Sequence, residues 1–291
     1  MGEPQRITGH THLITLLGSP VAHSSSPVTH NLSFEKLGID TVYLCLEIGA
    51  DEVGEVVNGL KRTVGWDGSN VTMPCKNAVI PFLDELDPAA ELMDAVNVIK
   101  NDNGKLKGYN TDGAGFVWGM RQKGVDPAGK TVTLIGPGGA GSAVAVQLAL
   151  DGAKKLNVVG RQGKTFERAR DLVPRIVEKT GCDAQLFDIA DQDNLRKLIA
   201  ESDVLVNASN VGMGAGSTES LVPVDYLRPE LVVCDTVYFP RETQLILDAK
   251  ALGCVTVPGL GMMIGQAAEG ERIWYDAEMP VDFIVEQLFS E

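Results

Sequence analysis

The stretch TVTLIGPGGAGSAVAVQLAL, residues 131–150, decides the fold. Thr131–Ile135 is a short apolar run of β-prone residues. Gly136, Gly138 and Gly141 follow at G-x-G-x-x-G spacing, and an Ala/Val/Leu-rich segment then continues with helical composition. Each glycine has a separate task in such a unit: a tight turn, close backbone approach to a pyrophosphate, and close packing of helix on strand. The free N–H groups and dipole at the helix start favour bound phosphate. The order strand, glycine loop, helix therefore predicts a dinucleotide site, with a plain tight turn as the simpler alternative.

Outward from this stretch, strand and helix alternate. Strands are expected at 131–135, 155–159, 184–188, 203–207 and 231–235, with helices near 140–151, 165–179 and 192–200. That is the pattern of a doubly wound parallel sheet. The second strand ends at Gly160 and continues Arg161, Gln162, Gly163, Lys164, with no acid until Glu167. An NAD site usually places Asp or Glu there, whereas arginine suits a 2′-phosphate. NADP is therefore the expected cofactor and NAD the alternative. The simpler reading of Arg161 is a solvated loop cation.

About 130 residues precede the glycine loop, enough for another domain. HLITLLG, 12–18, is a buried strand. In the turn-rich segment that follows, Ser26 fits a helix N-cap and Pro27 the first helical position. Val28, Leu32 and Leu37 would form the apolar stripe of that helix, with Gly38 as its C-cap. Ser24 and Ser26 read locally as caps, with a carboxylate site as the other reading. Val42–Ile48 is a strand and Val53–Leu60 a helix. In GSNVTMPCK, 68–76, a strand ends near Thr72, Pro74 starts a helix, and Lys76 falls in its first turn. A cation there opposes the helix dipole and breaks the usual preference for Asp or Glu. Ala95–Lys100 and Lys105–Tyr109 suit a hairpin around Asn101–Gly104. Asn97 lies inside an apolar strand, where its amide needs partners. Asp112 opens a helix and is either its cap or a reactive carboxylate.

Composition narrows the function classes. The chain has 291 residues, 44% hydrophobic content and a net charge of −14. That charge argues against nucleic acid and anionic membranes as partners. No apolar run approaches the ~18 residues of a membrane span. The N-terminal MGEPQRITGHTH, a polar leader containing His10 and His12, has neither a signal-peptide core nor a myristoylation pattern. Five widely spaced cysteines point to reduced thiols and a cytoplasmic setting. No metal-ligand spacing is visible.

Six marks in order resemble the shikimate dehydrogenase family, including its quinate/shikimate branch: GSPVAHSSSPVTHN, SNVTMPCK, AVN followed by GYNTD, GPGGAG, VYFPRET and GLGMMIGQA. They span residues 18 to 267. The resemblance implies a substrate-binding catalytic domain over 1–112, completed by C-terminal helices in 259–291, and a Rossmann domain over 113–258. It implies that Ser24 and Ser26 hold a substrate carboxylate, with Tyr238 near it. Thr72, Asn97 and Gln266 would bind ring hydroxyls, and Lys76 with Asp112 would be the catalytic pair. The implied cofactor contacts are Gly136, Pro137, Gly138, Gly139, Ala140, Gly160, Arg161, Gln162, Lys164, Asn210, Thr236, Val237 and Gly259. The expected reaction interconverts shikimate and 3-dehydroshikimate, with quinate and 3-dehydroquinate as a further pair. The partner would be a small cyclic hydroxy acid and the protein a monomer or homodimer. The alternatives are a non-catalytic cyclitol-acid sensor and a methylene-folate type dehydrogenase. Departures from the family pattern include Cys75 for phenylalanine, Asp94 for glycine, Val98 for threonine, Pro137 for alanine and Gly160 for asparagine. The loop after Arg161 is also longer, as in the quinate/shikimate branch.

Overall fold

The computed structural model describes residues 7–289; Met1–Arg6 of the polar leader and Ser290–Glu291 lie outside the described residues. The chain divides into two units. One is built from the chain up to Thr111 together with the chain from Ala267 onward, and the other runs Asp112–Gln266.

In the first unit the elements are β1 (His12–Gly18), α1 (Ser26–Leu37), β2 (Thr41–Glu47), α2 (Val53–Leu60), β3 (Trp66–Val71), α3 (Cys75–Ala78), β4 (Glu85–Leu86), α4 (Pro88–Met93), β5 (Val98–Asp102) and β6 (Lys105–Tyr109). The sheet order is β2-β1-β3-β5-β6-β4. β2, β1 and β3 are parallel, and β5 pairs antiparallel with β3 and β6. After β2 the chain crosses β1 to place β3 on its other side, so the loops leaving β1 and β3 diverge between adjacent strands. In open α/β sheets ligands bind at such a switch point, beyond the carboxyl ends of the strands. The β5–β6 turn has Asn103 and Gly104 at positive φ (52° and 91°), the geometry that hairpin twist favours.

α1 departs from the expected stripe. Val28 is 53% exposed and Leu37 39%, while the buried face is Thr29, His30, Ser33 and Phe34. Nor is Ser26 the N-cap. Ser25 holds that place without a side-chain cap bond, and Gly38 closes the helix in the left-handed region at φ 70°. His12, which ends the polar leader and begins the strand expected over 12–18, is the first residue of β1, and its Nδ1 lies 2.7 Å from Asp67 Oδ2.

The second unit contains α5 (Asp112–Gln122), β7 (Thr131–Ile135), α6 (Gly139–Leu150), β8 (Lys155–Gly160), α7 (Lys164–Thr180), β9 (Asp183–Asp188), α8 (Gln192–Ala200), β10 (Val204–Asn207), β11 (Val232–Asp235), α9 (Gln244–Ala251) and β12 (Thr256–Val257). Every strand pair is parallel, in the order β12-β11-β10-β7-β8-β9. The reversal falls between β7 and β10, beside the glycine loop. Ile135, Val159, Leu205 and Val233 from the strands pack with Leu195, Ile199, Leu245 and Ile246 from α8 and α9 into one core. The unit's last helix, α10 (Leu260–Tyr275), crosses the division at Ala267, and α11 (Val281–Phe289) follows it. Near its start α10 lies close to α5. A Cβ on Gly115 would stand 2.3 Å from Gln266 N, and one on Gly265 would stand 2.5 Å from Gly115 O.

Candidate functional site

In the first unit the expected substrate residues gather at the carboxyl ends of β1 and β3. Ser19 N donates to Met73 O at 3.0 Å, and Thr72 N donates to Leu17 O at 2.8 Å. The loop carrying Ser24 and Ser26 thus lies beside the loop carrying Thr72 and Lys76. Gly18, at φ 152°, is required by this closeness, since its Cβ would lie 2.4 Å from Thr72 Cγ2. Ser24, Ser26, Thr72 and Lys76 are all half-buried. α3 is one turn of four residues, so Lys76 is in its last turn as much as its first, and the dipole argument has no length to act over. The Lys76 carbonyl accepts from Val96 N at 2.9 Å, which ties this turn to the strand entry before Asn97.

Asn97 is 3% exposed. Its Nδ2 donates to Thr111 Oγ1 at 3.0 Å and its Oδ1 accepts from Thr111 N at 2.8 Å. Asn97 therefore fixes the chain immediately before Asp112, which is half-buried and is the first residue of α5. Asp94, where the family pattern has glycine, sits in the left-handed region at φ 50°.

A buried polar network, of which the linear sequence carried almost no signal, joins α1, β2 and β3. Tyr43 donates to Asn70 Oδ1 at 2.7 Å, and Asn70 Nδ2 donates to the Asn97 carbonyl at 3.1 Å. Burial pushes the Tyr43 phenol well above its ordinary pKa, against a smaller opposite pull from Ser26. The His30 ring stacks on Tyr43 at 4.7 Å. Its Nδ1 meets Glu271 Oε1 at 2.8 Å, and Ser33 Oγ donates to Glu271 Oε2 at 2.6 Å. One rule could have flagged Glu271: an acid on the apolar side of a helix needs buried partners.

The glycine loop of the second unit fits a dinucleotide. Gly136 has φ 101°, and a Cβ there would lie 2.7 Å from Ser209 N. A Cβ on Gly141 would lie 2.0 Å from Gly136 O, so the helix can rest on the loop only with glycine at that place. At Gly138 and Gly139 a Cβ would meet nothing within 4 Å, which is the open approach a pyrophosphate needs at the start of α6. Ala140 is exposed and Pro137 buried. On the neighbouring loop Gly160 is buried, while Arg161, Gln162 and Lys164 are exposed. Gln162 Nε2 donates to Asp188 Oδ2 at 2.8 Å, and Ala190 N donates to Asp188 Oδ1 at 2.9 Å. These bonds, the Ala190 N–H first, hold the Asp188 carboxyl below its ordinary pKa. Asp188 faces Gly160 in the β8–β9 register, an acid that the linear reading of this loop did not find.

The other expected nucleotide contacts are organised by Asp235, which is 1% exposed at the end of β11. It accepts from Val237 N at 2.8 Å, from Thr243 Oγ1 at 2.7 Å and from Asn207 Nδ2 at 3.2 Å. Burial raises its pKa. Asn207 in turn holds Ser209 and Val211, on either side of exposed Asn210. Thr236, Val237 and Tyr238 follow Asp235 directly, and Tyr238 is 52% exposed. Gly259 is buried, and its Cβ would lie 2.4 Å from Val237 O. Gln266 is half-buried on α10. Among the described residues there is no cluster of three His, Cys, Asp or Glu side chains suited to a metal ion.

A parallel sheet with this glycine loop, joined to a second α/β sheet with hydroxyl and amine side chains at its switch point, defines a two-domain dinucleotide-dependent oxidoreductase. Residues 16–99 match the family model of the shikimate dehydrogenase substrate binding domain, and residues 131–211 match that of a KR domain. The shikimate dehydrogenase (NADP(+)) of Listeria monocytogenes serotype 4b is 48% identical over 286 residues, which cover 98% of this chain and 98% of that protein. The chain belongs to the shikimate dehydrogenase family. A crystal structure of shikimate 5-dehydrogenase from Listeria monocytogenes in complex with shikimate and NAD has a TM-score of 0.94 and 47% identity, covering 99% of each chain. Quinate dehydrogenase from Corynebacterium glutamicum in complex with NAD has a TM-score of 0.83 and 31% identity, covering 97% of this chain and 99% of that one.

Proposed function

We propose that this chain interconverts shikimate and 3-dehydroshikimate, using NADP in preference to NAD, with quinate as a second substrate. The observation that carries the reading is the switch point of the first sheet, where the Ser24/Ser26 loop and the Thr72/Lys76 loop leave adjacent strands. The first unit would be the substrate domain and the second the nucleotide domain. The full-length likeness to a shikimate dehydrogenase (NADP(+)) supports the substrate and cofactor, and the likeness to a quinate dehydrogenase supports the second substrate.

In this reading the Ser24 and Ser26 hydroxyls donate to the substrate carboxylate, with Tyr238 near it. Thr72, Asn97 and Gln266 orient the ring hydroxyls. A bound nicotinamide supplies the acceptor for the hydride that leaves the carbinol carbon. The proton that must leave the carbinol oxygen would go to the Lys76 amine, with Asp112 as the other member of the catalytic pair. Gly136, Pro137, Gly138, Gly139 and Ala140 would cradle the pyrophosphate. Gly160, Arg161, Gln162 and Lys164 would border the adenosine ribose. Asn210, Thr236, Val237 and Gly259 would border the nicotinamide side. No helix among the described residues is long and apolar enough to cross a membrane. A reducing, cytoplasmic setting would suit the five free cysteines.

The test is nicotinamide absorbance with shikimate and quinate, each against NADP and NAD. Lys76→Ala should lower kcat by about 100- to 10,000-fold and leave nucleotide affinity nearly unchanged. A kcat near that of the parent removes Lys76 from the chemistry. Activity confined to NAD, unaffected by Arg161→Ala, overturns the NADP preference.

A further inference from the structure

Two departures from the family pattern that lie apart in sequence, Pro137 in the glycine loop and Gly160 at the end of β8, meet in space. A Cβ at position 160 would stand 2.8 Å from Pro137 Cγ, 2.9 Å from Pro137 Cδ and 3.1 Å from Phe166 Cδ2. Carbon atoms in good contact sit about 3.5–4.0 Å apart. Neither neighbour can swing aside cheaply, because the proline ring is closed on its own backbone and both residues are buried. Gly160 is not among the positive-φ residues, so its backbone would suit any side chain. Space alone holds this position to glycine.

The end of the second strand is where an NAD site places the acid that receives the ribose hydroxyls. We infer that Pro137 is a specificity-determining residue: its ring occupies the room that a strand-end carboxylate would need and so keeps that carboxylate out of position 160. Arg161 is then left beside the ribose edge without an adjoining acid on its own strand, which favours a 2′-phosphate. The carboxylate across the sheet from Gly160, Asp188 on β9, has both oxygens engaged, one by Ala190 N–H and one by Gln162. Pro137 and Gly160 therefore form a compensated pair, and substitutions at the two positions are coupled. The inference rests on the reading of the glycine loop as the nucleotide site.

The test is a double-mutant cycle on the full chain, with melting temperature measured alone and dissociation constants for NADP+, NAD+ and 2′,5′-ADP measured by calorimetry. Gly160→Asn alone should lower the melting temperature and weaken both dinucleotides about tenfold or more. Adding Pro137→Ala should restore both, as contacting residues are strongly non-additive. Pro137→Ala/Gly160→Asp should then move the NAD+/NADP+ affinity ratio toward NAD+ by about tenfold or more, and weaken 2′,5′-ADP in parallel. Two results overturn the inference. One is Gly160→Asn or Gly160→Asp tolerated without Pro137→Ala. The other is a rescued Asp double variant with an unchanged ratio. Should that double variant not fold, the Asn cycle decides the inference through melting temperature alone. A parent chain that binds no dinucleotide is a different failure, that of the nucleotide-site reading, and is seen before any variant is made.

Discussion

Replacing Glu271 by alanine is the most exacting perturbation of the first unit. Its carboxylate is fully buried and meets His30 Nδ1 at 2.8 Å and Ser33 Oγ at 2.6 Å. Both partners lie on α1, at 1% and 0% exposure, and the His30 ring also stacks with Tyr43 and with Phe34. Neither can turn to water when the carboxylate is lost. Two buried groups left unpaired cost roughly 1–3 kcal/mol each. Against a typical total of 5–15 kcal/mol this is a large fraction. At about 2–4 °C per kcal/mol, the transition of this unit should fall by on the order of 10–15 °C. Calorimetry and urea unfolding, fitted with separate transitions for the two units, measure it. Glu271→Gln retains one acceptor and should lose less. Replacing the whole cluster, as His30→Leu/Ser33→Ala/Glu271→Met, should recover most of the loss, because no buried polar group is then left unpaired. A Glu271→Ala protein within about 1 kcal/mol of the parent, or a triple variant no better than the single, would refute this reasoning.

Other consequences can be checked separately. Gly141→Ala drives a methyl to 2.0 Å from Gly136 O and should abolish NADP+ binding in calorimetry, whereas Gly139→Ala points into open space and should leave the domain's melting temperature unchanged. Gln162→Ala removes one of two donors on Asp188, so the carboxyl pKa followed by NMR should rise toward 3.8 while staying below it, as Ala190 N–H remains. Because the folded pKa of Asp188 is depressed, its stabilising contribution is present above the unfolded value and is lost as pH falls through the folded one. The variant should lose less stability on acidification than the parent. Asp235→Asn sets an NH2 group among donors and should cost about 2–4 kcal/mol. Hydrogen exchange should then quicken in 208–214 and 236–243, while β1–β3 are unaffected.

The nucleotide half was legible because its determinants are local. A glycine at φ 101° and another whose Cβ would strike the loop carbonyl impose residue types at fixed spacing, and strand and helix periods surround them. The first domain yielded its strands for the same reason, but not its helix face. α1 buries Thr29, His30, Ser33 and Phe34 where hydrophobic periodicity pointed to Val28, Leu32 and Leu37. A polar face is stable inside only if partners are supplied, and the decisive partner of His30 is 241 residues away. Distance along the chain likewise hid Asp188 from Gly160 and let Pro137 pass as an isolated oddity.

By itself, then, the sequence determined whatever depends on one residue's own backbone and its near neighbours: the glycine turn, the strand–helix alternation and the order of the family marks. Tertiary structure alone decided which polar side chains go inside, which hydroxyl is steadied by which buried group, and why Gly160 is glycine. The reason is physical: burial of a polar atom, or exclusion of a Cβ, is set by what lies across the space rather than along the chain.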